Sequence, residues 1–126
     1  MILVYDIGNT NITAGLFQGK RLVYKTKFPT SKAGNGFPAV AGSRLLREKH
    51  FPARIAFSQI KAIVICSVVP RALKSLKASF KSLKNIPVYC LGENLAVPIK
   101  NLYARPKQVG QDRLVNAYAA SRLYGA

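Results

Sequence analysis

Acidic residues are scarce in this chain. Only 4 aspartates and glutamates stand against 20 lysines and arginines in 126 residues, a formal charge of +16 at neutral pH. Such a balance attracts polyanions in general, including nucleic acid, phospholipid and phosphorylated metabolites, without selecting among them. It also makes each aspartate informative. The chain has two cysteines, Cys66 and Cys90, and one histidine, His50. Each cysteine sits in an apolar, strand-like segment and reads as a buried thiol; one histidine is too little to complete a metal site around them. No apolar run is long enough to span a bilayer, and the first residues lack a basic start followed by a signal-like hydrophobic stretch, so the expected location is cytoplasmic. There is no internal repeat and no low-complexity tract. No helix-turn-helix spacing, zinc-finger pattern or aromatic RNA-binding motif accompanies the lysines.

What is present is the material of one core. Hydrophobic residues make up 49% of the chain, which argues against disorder, and the length suits one domain better than two. Ile2 to Ile7 is apolar nearly throughout and predicts a buried, central strand. Ile12 to Phe17 and Leu22 to Phe28 predict two more, joined by a Gln18-Gly19 hairpin turn, so the chain opens as an antiparallel meander. Pro29 to Pro38 reads as a loop and Ala39 to His50 as a helix weakened by Gly42. Ile60 to Val69 returns to strand character. Pro70 is suited to the first turn of a helix, and "RALKSLKASFKSLK" places Leu73, Leu76, Phe80 and Leu83 on one face beside a stripe of Lys74, Lys77, Lys81 and Lys84. That stripe reads as solvated surface. Val88 to Leu91 and Leu95 to Ile99 predict short strands. A connector, "NLYARPKQVG", leads to a last helix from about Gln111 with Leu114, Val115, Tyr118, Ala119 and Leu123 towards the core. The order predicts an α/β fold, a mixed sheet flanked by helices.

Two places have the makings of a site. Asp6 ends the central strand, where a charge near the core must be solvated or paired. Gly8 would free the backbone and admit a ligand closely, and Asn9 and Thr10 add donors. Together they could cradle phosphate oxygens while Asp6 holds Mg²⁺ directly or through water. The plainer reading is a hairpin turn with Asp6 capping its own backbone. In "VGQDRLVNAYAA", Gly110 permits close approach, Asp112 could accept a proton or bind a hydroxyl, and Arg113 offers a planar fork for an anion. Asn116 borders the same mouth by helical spacing. The plainer reading here is a helix cap and a solvated arginine. Ser67, at the end of "ICSVVP", either faces a ligand or bonds its neighbours. Tyr103 and Arg105 could wall a second substrate.

Taken in order, "YDIGNTNITAGLF", "CSVVP" and "PKQVGQDRLVNAYAA" resemble the amino-terminal half of type III pantothenate kinases. Those enzymes belong to the acetate kinase, sugar kinase, Hsp70 and actin superfamily, built from two ribonuclease-H-like domains. The resemblance spans most of the chain, apart from Thr30 to Ser58. It implies that Asp6, Ile7, Gly8, Asn9, Thr10, Asn11, Ile12 and Thr13 form the first ATP-phosphate loop, with Asp6 near Mg²⁺. It further implies that Tyr103, Gly110, Gln111, Asp112 and Arg113 line the pantothenate pocket, Asp112 accepting the proton of the primary hydroxyl. The implied reaction is ATP-dependent phosphorylation of pantothenate to 4'-phosphopantothenate, the first step of coenzyme A synthesis, by a cytoplasmic homodimer that also uses potassium or ammonium. The family's second domain, with its own Asp-Gly-Thr loop and monovalent-cation aspartate, has no counterpart in residues 1–126, which read as one amino-terminal ribonuclease-H-like domain with little turnover of its own. The alternatives are a kinase for another small alcohol, or a nucleic-acid-associated or transcription-accessory protein on the same scaffold; otherwise nucleic acid is expected only as a non-specific, charge-driven partner.

Overall fold

A computed structural model describes residues 1–31, 57–81 and 85–125. The expected helix from Ala39 to His50, most of the expected loop before it, and Leu83 and Lys84 lie outside them. Five strands, β1 (Ile2–Ile7), β2 (Asn11–Gln18), β3 (Arg21–Pro29), β4 (Ala62–Ser67) and β5 (Val88–Cys90), form one sheet in the order β3-β2-β1-β4-β5. β1 pairs antiparallel with β2 and parallel with β4, β2 antiparallel with β3, and β4 parallel with β5. The strand that is apolar nearly throughout is therefore the middle one, as its pattern predicts. This is the mixed, ribonuclease-H-like sheet, carrying helices α1 (Pro70–Ser79) and α2 (Gln111–Tyr124).

The hairpin between β2 and β3 turns on Gly19 and Lys20, one residue later than predicted, because Gln18 still pairs with Arg21. Gly19 has φ of 60° while no non-glycine residue described has positive φ, so the positive angle falls on the first turn position, where glycine is favoured. Leu95 to Ile99 is not a strand. Only Leu95 bridges to Leu91, and the chain between them is held back on Cys90, whose carbonyl accepts from the N–H groups of Glu93, Asn94 and Leu95.

Alternation decides the core. Leu3, Tyr5 and Ile7 of β1, Ile12, Ala14 and Leu16 of β2, and Ile63 and Ile65 of β4 are all buried on one face. Helix α1 covers that face: Ala72, Leu76 and Ser79 are buried within it, Phe80 follows it, and the Phe80 ring lies 5.7 Å from that of Tyr5. The predicted apolar stripe is thus rotated, with Leu73 only half-buried at its margin. Ser79 is admitted because its hydroxyl donates to the carbonyl of Leu76 at 2.6 Å. Lys74, Lys77 and Lys81 are exposed, and Lys77 pairs with Glu93 at 2.6 Å. An exposed pair of this kind contributes little to stability.

Helix α2 departs from expectation more clearly. None of its residues is buried: Leu114, Val115, Tyr118 and Ala119 are half-buried, and Leu123 is 73% exposed. The helix contacts β4, its preceding Gly110 lies against Val68, and its last residues from Arg122 to Tyr124 are exposed. Among the described residues no helix is long and apolar enough to cross a membrane.

Candidate functional site

Because Leu3, Tyr5 and Ile7 point into the core, Asp6 must point to the other face of β1. Its neighbours across the ladder are Thr13 on β2 and Cys66 on β4. The residue is exposed, so the charge that ends the central strand is solvated rather than buried. Beyond Ile7 the chain reverses through Gly8, Asn9 and Thr10, with the Gly8 N–H donating to the Asn11 carbonyl at 2.9 Å. Gly8 does not have positive φ, contrary to the backbone freedom expected of it. Its small size matters instead, since a Cβ there would stand 3.2 Å from the Asn11 carbonyl oxygen. Asn9 and Thr10 are exposed at the tip and Asn11 and Thr13 are half-buried, whereas Ile7 and Ile12 send their side chains into the core and can offer a ligand only backbone.

The turn has a tether that the sequence did not disclose. The Thr30 hydroxyl donates to the Gly8 carbonyl at 2.7 Å and the Thr30 N–H to the Thr10 carbonyl at 2.9 Å. Thr30 is only 7% exposed. It follows Pro29 in a segment whose composition says only loop, and nothing local signals a bond that reaches back 22 residues.

At the end of β4 the Val68 N–H donates to the Ile7 carbonyl at 3.0 Å, so the parallel ladder continues one step past the named strands. Ser67 does not present a free hydroxyl. It donates to the Val69 carbonyl at 3.1 Å and accepts the Val69 N–H at 3.0 Å, the local turn that such residues commonly form.

The second candidate region reaches the same end of the sheet. Asn101 braces the connector, its amide donating to the Pro106 carbonyl and its side-chain oxygen accepting the Tyr103 N–H, both at 3.1 Å. Tyr103 and Arg105 are exposed. Gly110 precedes α2, and a Cβ on it would lie 3.8 Å from Val68 Cγ1 and only 2.5 Å from Asp112 Oδ1. No side chain fits there without displacing the carboxylate. Asp112 does not cap the helix in the expected sense: the cap residue is Gly110, and Asp112, two residues further on, accepts the Arg113 N–H at 2.9 Å. Its charge lies at the positive end of the helix dipole. Arg113 and Asn116 are exposed, so their side chains reach solvent.

Gln111 is positioned by a residue outside the predicted set. Gly92 follows β5 with φ of 86°, and a Cβ there would stand 3.0 Å from the Gln111 amide group. Angle and space together call for glycine. Asn94 shapes this turn, accepting the Cys90 N–H at 2.7 Å and donating to the Val88 carbonyl at 3.0 Å.

Electrostatics ties the two regions together. The carboxyl of Asp6 is raised above its ordinary pKa, first by partial burial at the end of the central strand and then by the negative charge of Asp112. Cys66 is the β4 neighbour of Asp6; burial, then Asp6, then Asp112 push its thiol up to about 11, so it stays protonated near neutral pH. Both cysteines are free and buried, as read from their segments, and no cluster among the described residues could hold a metal ion unaided. Two carboxylates and a turn with exposed polar residues thus meet beyond the carboxyl ends of two parallel strands. Open α/β sheets commonly bind ligands beyond the carboxyl ends of their strands.

Residues 2–126 match the family profile of type III pantothenate kinase. The chain belongs to that family. It is 34% identical over 120 residues to a type III pantothenate kinase of Syntrophotalea carbinolica, covering 95% of this chain and 46% of the relative. It is 37% identical over 125 residues to a type III pantothenate kinase of Halalkalibacterium halodurans, covering 99% of this chain and 48% of the relative. The chain therefore spans about half the length of the curated type III pantothenate kinases it matches.

Proposed function

We propose that this chain is the ATP-phosphate and proton-accepting half of a pantothenate kinase, converting pantothenate and ATP into 4'-phosphopantothenate and ADP. The observation that carries the reading is geometric: Gly110, beside Asp112, stands against Val68, whose N–H donates to the Ile7 carbonyl at 3.0 Å, so the start of α2 meets the end of β1 that bears Asp6. In this reading the turn from Asp6 to Thr13 receives the ATP phosphates on its amides and polar side chains. Gly110, Gln111, Asp112 and Arg113 hold pantothenate with Tyr103 at the rim. The primary hydroxyl oxygen attacks the γ-phosphorus, its bond to the ADP oxygen breaks, and the hydroxyl proton passes to the Asp112 carboxylate. An aspartate suffices because the proton leaves late, and orientation and charge stabilisation do most of the work in phosphoryl transfer.

The residues present fit a divalent cation. Asp6 is raised partly by a second negative charge, so a cation beside it would be stabilised, and Mg²⁺ is held by one or two carboxylates together with substrate phosphates rather than by a full protein cage. Bound there, it would neutralise charge developing on the phosphate oxygens. A monovalent cation, potassium or ammonium, belongs to the same proposal, with its ligand expected outside residues 1–126, as do cytoplasmic location and homodimer assembly. The lysine stripe of α1 is on the helix that covers the opposite face of the sheet and takes no part.

Coupled ADP release with ATP and pantothenate tests this. A protein carrying the chain together with whatever coding sequence follows Ala126 is expected to release ADP only when pantothenate is present, and to lose that activity on Asp112→Asn. The 126-residue chain is expected to turn over little, since half a nucleotide clamp does not exclude water. Release that is indifferent to pantothenate, or supported better by another small alcohol, would overturn the substrate assignment.

A further inference from the structure

We infer that Thr30 is a positioning residue for the phosphate-binding turn, fixing the peptide planes of Gly8 to Thr10 so that amides rather than carbonyls face the nucleotide. The inference rests on the reading that this turn holds phosphate. Three carbonyls along the reversal are occupied from outside it: Ile7 by the Val68 N–H at 3.0 Å, Gly8 by the Thr30 hydroxyl at 2.7 Å, and Thr10 by the Thr30 N–H at 2.9 Å. A peptide unit is planar and trans, so the N–H of one residue is antiparallel to the carbonyl before it. Holding the Gly8 carbonyl against Thr30 therefore directs the Asn9 N–H the opposite way, out of the turn. A carbonyl free to rotate towards a phosphate would repel it and withdraw that donor. Two of the three tethers come from one residue, and its hydroxyl is the only side chain among them.

Thr30 is also placed to hold this geometry firmly. It is 7% exposed, so water competes poorly for the Gly8 carbonyl. It follows directly on β3, whose Pro29 pairs with Asn11, so the hydroxyl is delivered by the same sheet that bears the turn. A valine in its place keeps the shape and loses the donor; a serine keeps the donor.

The test is calorimetric titration, with MgATP and separately with adenosine, of the same pantothenate-dependent protein that carries the chain in the ADP-release assay, as wild type, Thr30→Val and Thr30→Ser. Thr30→Val is expected to weaken MgATP about tenfold, the size of effect that losing a buried hydrogen bond produces, with adenosine affinity within about twofold of wild type. Thr30→Ser is expected to retain MgATP affinity within about threefold. A merely structural role would weaken both ligands together, and that result overturns the inference, as does wild-type MgATP affinity in a folded Thr30→Val. If Thr30→Val does not fold, Thr30→Ser decides, since a tenfold phosphate-specific loss with the hydroxyl retained would refute the tether. A wild-type protein that binds no MgATP would remove the phosphate-turn reading itself, and the inference with it.

Discussion

Asp6, near the end of the central strand, and Asp112, in the first turn of the last helix, come from opposite ends of the chain, and the charge of Asp112 reaches the Asp6 carboxyl. The fold brings them together through one intermediate, the end of β4, which pairs with β1 on one side and meets Gly110 on the other.

Replacing Asp6 by asparagine is expected to stabilise the fold slightly at neutral pH. The folded state raises the Asp6 pKa, so folding favours the protonated carboxyl. The stability this contributes is full below the unfolded value, about 3.9, and is lost as pH rises through the folded one. The gain from Asp6→Asn should be no more than about 1 kcal/mol, because the group meets solvent, and should vanish in acid. Urea titrations at pH 7 and pH 3 check this; a variant less stable than wild type at pH 7 contradicts it.

Asp112→Asn should move Asp6 as well as abolish chemistry. With the neighbouring charge gone, the Asp6 carboxyl is expected to titrate at lower pH, visible in its carbon-13 shift. Pantothenate phosphorylation by the protein carrying the chain should fall by at least about 100-fold, the range for losing a proton acceptor, while circular dichroism stays the same. An unmoved Asp6 titration would mean that the two charges are not coupled.

Gly110→Ala probes the space beside the acid. The new methyl would fall 2.5 Å from Asp112 Oδ1, so the carboxylate must swing away. We expect a loss of less than about 1.5 kcal/mol in stability, because an exposed helix start can adjust, alongside a drop of about 100-fold in turnover. Equal turnover in the alanine variant would show that the carboxylate position is not critical.

Leu76→Ala addresses the core alone. Leu76 is 2% exposed beneath the sheet, and truncation should cost about 2–5 kcal/mol, read from denaturant midpoints with the slope unchanged. A cost under about 1 kcal/mol would mean that α1 does not pack as described.

Much of this was legible in the chain because the deciding signals were local. The near-continuous apolar run of Ile2 to Ile7 marked the central strand, and Pro70 marked a helix start. The order of three motifs located the two candidate regions. Less legible was whatever depended on partners far away. Leu123 has the spacing of a core residue, yet it is exposed at the end of α2. Leu95 to Ile99 looked like a strand, but Asn94 and the Cys90 carbonyl fold it into a turn. Ser67 has a hydroxyl at a promising place, and its own neighbours occupy it. Thr30 gave no sign at all, since its importance lies in a carbonyl 22 residues earlier.

The sheet order has a kinetic corollary. β1, β2 and β3 are joined by tight reversals, so their pairing closes only short loops, whereas β4 must cross a long intervening segment to reach β1, and α2 docks on β4. Loop-closure entropy delays the distant pairings. During refolding the hairpin bearing Asp6 should gain amide protection before the helix bearing Asp112, which pulse-labelled hydrogen exchange would resolve. Asp112 would then be the last part to arrive, and any defect that slows β4 would leave chains with a formed Asp6 hairpin and no partner for it.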